Sequence, residues 1–263
     1  MQNLDDSVPN ESPAVNVVDF IVCGTQKGGT SALDAYLREH PDLCMANEKE
    51  VHFFDRDSYF SNGRPDYSQY HACFTLERAD QLVGEATPIY MYWYDAPRRM
   101  WDYNPNLKLI LILRNPIERA YSHWNMERIR NAETLPFWDA ILLERERCRS
   151  SLPLQHRVYS YLDRGFYLQQ LRRLQIYFLD SQILVVKNED LKSNPTAILN
   201  RICDFLGVSR LESITHKDVH SRPYIDTMSD REWEYLKHLY EYEIRGLERL
   251  LGWDCSDWLA KRG

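Results

Sequence analysis

Apolar residues gather in short unbroken runs, and the stretches between them carry a helical period. Phe20-Ile21-Val22 leads into Cys23-Gly24, residues 107–113 read LKLILIL, and Leu184-Val185-Val186 lies within residues 182–187. Runs that do not alternate with polar residues mark strands covered on both faces, as in a parallel sheet. Strands are therefore predicted at 19–23, 107–113 and 182–187. Helices are predicted at 30–40, 116–130, 137–148, 166–178 and 195–206, with a loop at 150–155. Pro116 and Pro195 suit first helical positions. Ile198, Leu199, Ile202 and Phe205 form one apolar face, and Gly207 closes that helix. Ser229-Asp230-Arg231-Glu232 is a capping box. Trp233, Leu236, Tyr240, Leu247 and Leu251 then recur at helical spacing as far as Gly252. Strands alternating with helices predict an α/β fold in three layers, a central parallel sheet flanked by helices.

In such sheets ligands sit at the carboxyl ends of the strands, and two of those ends carry candidate chemistry. After the first strand come Gly24, Thr25, Gln26, Lys27, Gly28, Gly29, Thr30 and Ser31. The glycines let the backbone turn tightly, and the two hydroxyls stand where the helix begins. Backbone donors, the positive end of a helix dipole and one lysine make a phosphate cradle. Gly24 and Gly29 have Walker A spacing, but the lysine lies inside the loop at Lys27 rather than after the second glycine. No apolar strand ends in an Asp that supplies a magnesium ligand. A P-loop kinase, a non-catalytic nucleotide-binding protein and a glycine turn without a ligand remain alternatives at this point. After the strand at 107–113 comes Arg114-Asn115-Pro116. Ser122 lies roughly 9 Å along the helix that follows. Arg114 and Ser122 can flank one anion; the alternative is that Arg114 pairs locally with Glu118.

The loop TQKGGTSAL resembles the 5′-phosphosulfate loop of sulfotransferases, enzymes that use 3′-phosphoadenosine 5′-phosphosulfate (PAPS). In LRNPIERAYSHW, Arg114 and Ser122 match that family's 3′-phosphate motif. LVVKNEDLKSNPTAILNRICDFLG, residues 184–207, looks like its strand, Glu-Asp-Leu turn, helix and Phe-Leu-Gly ending, which is read as scaffold. NEKEVHFFD, residues 47–55, resembles a segment of the heparan-sulfate branch and its bacterial relatives. The resemblance covers most of residues 17–263 and implies a P-loop-like fold. Thr25, Gln26, Lys27, Gly28, Gly29, Thr30 and Ser31 would hold the 5′-phosphosulfate, with Lys27 at the bridging oxygen. Arg114 and Ser122 would read the 3′-phosphate. Arg222, in a late basic loop, and Tyr167 are further donor contacts. Glu50 would be the catalytic base, with His52, on the same side of an extended segment, as second choice. PAPS would be the donor and 3′-phosphoadenosine 5′-phosphate (PAP) the product, with no metal. One departure stands out: the Glu-Lys-Thr-Pro of the heparan enzymes is here Glu85-Ala86-Thr87-Pro88.

At 263 residues, 44% hydrophobic and 27% charged, the chain suits one soluble α/β domain over 17–263 behind a polar, disordered tail at 1–16. The tail lacks the features of a signal peptide, and no run is long enough to span a membrane. Six scattered cysteines show no metal spacing and predict free thiols in the cytoplasm. A net charge of -7 disfavours nucleic acid and long polyanionic sugars as partners. With Ala86 and the aromatic group Tyr90, Tyr92, Trp93 and Tyr94, it points to a small-molecule acceptor such as a natural-product alcohol, with the core as the alternative place for those rings. A saccharide or glycolipid hydroxyl is the runner-up. The oligomeric state is not legible.

Overall fold

The computed structural model describes residue 15 and residues 17–211 and 223–260. Five strands form its sheet: β1 (Phe20–Gly24), β2 (Leu43–Met45), β3 (Leu82–Ala86), β4 (Lys108–Leu113) and β5 (Ile183–Lys187). All neighbours are parallel, in the order β2-β3-β1-β4-β5, so β1 is central. Among the described residues the helices are α1 (Thr30–Leu37), α2 (Ser68–His71), α3 (Ala96–Tyr103), α4 (Pro116–Ile129), α5 (Phe137–Cys148), α6 (Tyr167–Gln175), α7 (Asn188–Ser193), α8 (Pro195–Leu206), α9 (Asp230–Leu251) and α10 (Ser256–Leu259).

Both faces of the sheet are covered, which explains the unbroken apolar runs. Successive strand residues point to opposite sides. Phe20, Val22, Ile110, Ile112 and Val186 pack with Leu33 and Leu37 of α1 and with Ile198, Leu199 and Ile202 of α8. Ile21, Leu109, Leu111 and Val185 face the other layer, with Met100 of α3, Ile117 and Trp124 of α4, Leu171 of α6 and Ile244 of α9.

The three predicted strands and the predicted helices stand within a few residues of their expected limits. The first helix closes earlier than expected, at Leu37, because the chain must turn to enter β2. Two strands escaped the apolar pattern. β2 has three residues, and β3 reads LVGEA, with a glycine and a glutamate inside it. Gly84 is needed there because a Cβ would overlap the Phe20 ring of the neighbouring strand. The capping box at Ser229 and Glu232 forms, and Gly207 and Gly252 close their helices with φ of 84° and 67°.

Candidate active site

Three strand ends meet at one edge of the sheet. The loop after β1 folds back on itself: the Gly28 N–H donates to the Thr25 carbonyl at 2.9 Å, and the Thr25 N–H to the Ile112 carbonyl of β4 at 3.0 Å. Lys27 and Gly29 have φ of 67° and 111°. Left-handed residues in such a turn direct successive N–H groups into one concavity, a nest for an anion. The first N–H groups of α1 add to it, since they have no partner within the helix. A Cβ at Gly28 would overlap the Ile112 carbonyl, and one at Gly29 the Asn188 side-chain amide. The loop backbone is thus pressed onto β4 and α7 by its glycines. This cradle fits a terminal phosphate or phosphosulfate.

Arg114 ends β4, and Ser122 lies on α4 behind it. Asn115 caps that helix by accepting from the Ile117 N–H at 3.0 Å, and its amide donates to the Trp258 carbonyl of α10 at 3.0 Å. Arg114 donates to Glu118 at 2.9 and 3.2 Å, the local pairing weighed from sequence. Burial works against its charge, but Tyr224 and Glu118 outweigh that and raise its pKa. The Tyr167 hydroxyl donates to the Arg114 carbonyl at 2.9 Å, so this side chain braces the strand end from below. Arg222 lies outside the described residues. The chain just after it is pinned to α4: Asn125 donates to the Pro223 carbonyl at 3.2 Å and accepts from the Ile225 N–H at 2.9 Å.

Residues 47–55 form the opposite wall. The Glu50 N–H donates to the Ala86 carbonyl at 3.2 Å, which hangs this segment on the end of β3. The segment is not extended as expected: Glu50 and His52 have φ of 65° and 56°. Their side chains still converge, with His52 Nε2 at 3.4 Å from Glu50 Oε2. His52 Nδ1 lies 3.0 Å from Asp55 Oδ2, and Lys49 donates to Glu50 at 2.7 Å. Asp55 is the member that sequence reasoning passed over. The signal was its place three residues after His52, which becomes a contact only because the backbone turns there. Arg157 in turn holds both the Asp55 carboxylate and its carbonyl.

Electrostatics assign different states to the two candidate bases. Burial would raise the Glu50 pKa, but His52 and Lys49 outweigh it and hold the carboxylate down at about 2. The hydrogen bond to Asp55, then that to Glu50, pushes His52 up to about 9. At neutral pH His52 is an imidazolium between two carboxylates, with its proton acceptor sites filled. Glu50 stays an ionised carboxylate held by His52 and Lys49.

The two walls are joined by residues missed in the sequence. Arg164 is buried, with its guanidinium bonded to the Gln26 side chain of the cradle, to Ser160 Oγ at 2.8 Å and to the Arg157 carbonyl at 2.8 Å. Lys27 faces α4, where burial followed by the charges of Arg164, Arg119 and Lys27 drives the His123 pKa well below its ordinary value. The cradle is therefore a cationic region within an acidic protein. The aromatic group resolves mostly into core. Tyr90, Tyr92 and Trp93 are buried and Tyr94 is exposed. The Tyr90 hydroxyl accepts from the Phe53 N–H at 2.8 Å, fixing the Glu50 segment from beneath.

A family model for the sulfotransferase domain matches residues 18–234. The chain belongs to the sulfotransferase family. Among curated proteins it is 34% identical over 196 residues to mouse heparan sulfate glucosamine 3-O-sulfotransferase 6, covering 74% of this chain and 54% of that protein. It is 35% identical over 131 residues to the membrane-associated sulfotransferase kil1 of Dictyostelium discoideum, covering 49% of this chain and 27% of that one. The chain thus spans about half the length of the first of these relatives, or less. A sulfotransferase structure from Alicyclobacillus acidocaldarius superposes with a TM-score of 0.81 at 28% identity, over 94% of this chain and all of that one. A mouse sulfotransferase complexed with PAP shares the fold, with a TM-score of 0.51 at 14% identity over 91% of this chain and 89% of that one. The sulfotransferase-type α/β fold, a central parallel sheet flanked by helices, is the one expected from sequence. Among the described residues, no helix is long and apolar enough to cross a membrane.

Proposed function

We propose that this sulfotransferase-family chain transfers a sulfuryl group from PAPS to a saccharide hydroxyl. The observation that carries the reading is the pairing, at one sheet edge, of the Lys27 cradle with an ionised Glu50 held by His52. PAPS, when bound, supplies the activated sulfuryl group. The chain's own residues do the rest. The cradle N–H groups, Thr30 and Ser31 hold the 5′-phosphate, with Thr25 and Gln26 at its edge. Lys27 offsets negative charge on the bridging oxygen, a task in which placed charge counts for more than in water. Arg114 and Ser122 read the 3′-phosphate, with Arg222 as a further contact and Tyr167 bracing Arg114. Glu50 takes the acceptor proton, and His52 fixes and screens its carboxylate.

The saccharide takes precedence over the small-molecule acceptor expected from sequence, for two reasons. Curated relatives 34% identical to this chain are named as heparan sulfate glucosamine 3-O-sulfotransferases. The aromatic argument for a small-molecule acceptor also weakens, because Tyr90, Tyr92 and Trp93 are buried in the core. Ala86 favours an acceptor less polyanionic than heparan sulfate, since it brings no cation to the end of β3.

Calorimetric titration without magnesium tests the donor class. PAP is expected to bind more tightly than ADP or 5′-AMP. Arg114→Ala should lose about 10- to 100-fold of that affinity, the scale of a charge-assisted contact. Indifference to the 3′-phosphate, or a demand for magnesium and a triphosphate, would overturn the reading in favour of a kinase. Glu50→Gln and Lys27→Ala should each lower transfer to glucosamine-containing oligosaccharides by about 10²–10⁴-fold. Wild-type turnover in both would remove their assigned roles.

A further inference from the structure

Arg157 stands outside the motifs read from sequence and belongs to neither wall of the site: it holds Asp55 directly and reaches the cradle through Arg164. Its two terminal nitrogens grip a single residue, Nη1 on the Asp55 carboxylate and Nη2 on the Asp55 main-chain carbonyl. A planar guanidinium with both prongs engaged fixes the direction of the side chain it holds. The Asp55 oxygen it takes, Oδ2, is the one 3.0 Å from His52 Nδ1. The Asp55 side chain is fully buried, so its orientation is set by these two partners and not by water.

The clamp is itself held in place. The Arg157 guanidinium lies 4.3 Å from the centre of the Trp93 ring, an attraction of about 1–2 kcal/mol in a partly desolvated setting. Trp93 is pinned by its indole N–H, which donates to Asp57 at 3.2 Å. The Arg157 carbonyl accepts from Arg164, whose guanidinium also binds Gln26 in the phosphate cradle. Direct contacts therefore run without a break from the cradle through Arg164, Arg157, Asp55 and His52 to Glu50.

We propose that Arg157 is a positioning residue for the reaction, holding Asp55 so that His52 stays aimed at Glu50, and that it takes its own place from the donor cradle through Arg164. The inference rests on the role given to Glu50 above, but its central test needs no acceptor. The groups facing His52 are Glu50 and Asp55, with Lys49 behind the first, Arg157 behind the second, and the Thr87 hydroxyl 3.5 Å from the His52 N–H.

Arg157→Lys keeps the charge and gives up the two-pronged grip, and Arg157→Gln gives up both. The His52 titration is followed by NMR in the wild type and in both variants, with PAP affinity as the check on fold and cradle. In both variants the His52 midpoint should fall from its raised position toward the ordinary histidine value, with PAP affinity within about twofold of wild type. In the transfer assay, kcat should drop about tenfold in Arg157→Lys and further in Arg157→Gln, with the KM for PAPS little changed. An unmoved midpoint would overturn the proposal. So would a rise confined to Arg157→Gln, which would mean that Arg157 acts as a charge alone. Full kcat in Arg157→Lys would overturn it too. If wild type binds PAP but sulfates no saccharide, the acceptor reading fails while the His52 titration still decides the place of Arg157.

Discussion

Lys27, Glu50 and His52 are three residues with side chains that hold φ between 56° and 67°, where glycine is normally found. Each such residue costs about 1–2 kcal/mol, and the strain persists only where the surroundings over-determine it. Among the described residues the other non-glycine residue in this region is Asn131, with φ of 59°, so three of the four such positions are side chains proposed for chemistry. Gly29 shows the reverse case, with φ of 111° and the Asn188 amide where a Cβ would go. Gly29→Ala should lower stability by about 1–3 kcal/mol and weaken PAP binding, as read by thermal melts and calorimetry. Titration of the Glu50–His52 pair also carries stability. His52 is raised from 6.5 to about 9, so its stabilising share is complete below pH 6.5 and lost as pH rises through about 9. Glu50 is lowered from 4.5 to about 2, so its share is present above pH 4.5 and lost as pH falls through about 2. The Tm gap between wild type and His52→Gln should be widest between pH 4.5 and 6.5 and close above pH 9. At this scale the sequence named Lys27, Glu50, His52 and Arg114 because each sits in a short recognisable run. Asp55 and Arg157 were hidden because their roles depend on a turn and on a contact 102 residues apart in the chain.

Among elements, α4 holds Ser122, and its start decides where Arg114 and Ser122 stand. Pro116 and Asn115 were legible as a helix start. That the Asn115 side chain also reaches the Trp258 carbonyl was not, because the two are 143 residues apart. Asn115→Ala removes a cap and a buried tie together. It should cost about 1–2 kcal/mol and loosen PAP binding several-fold, whereas Ser229→Ala, in the cap of α9, should cost about 1 kcal/mol without changing PAP affinity. Apolar runs revealed β1, β4 and β5, whose two faces are both covered by helices. They concealed β2 and β3, where shortness and a Gly-Glu pair break the pattern. These are the strands from which the Glu50 wall hangs, so the donor half of the site was easier to read than the acceptor half.

At the scale of the whole molecule, the order β2-β3-β1-β4-β5 puts the glycine loop at the centre, Arg114 and Ser122 on one side and the Glu50 segment on the other. Neighbouring strands in sequence do not dictate this order, and the pattern of residues along the chain does not reveal it. The net charge of -7 coexists with a cationic region formed by Lys27, Arg114, Arg119 and Arg164. A trianionic or more highly charged ligand held by partly buried cations should still feel salt. PAP affinity is expected to fall as ionic strength rises from about 0.01 to 0.15 M, where the Debye length shrinks from about 30 to 8 Å. The tie between Asn115 and Trp258 has a consequence for biosynthesis. A nascent chain can build the sheet and the glycine loop well before residue 258 leaves the ribosome, but it cannot lock the start of α4 until then. If donor binding depends on that start as proposed, full affinity arrives late in translation, and a chain cut short before α10 should hold the nucleotide several-fold more weakly than the finished protein.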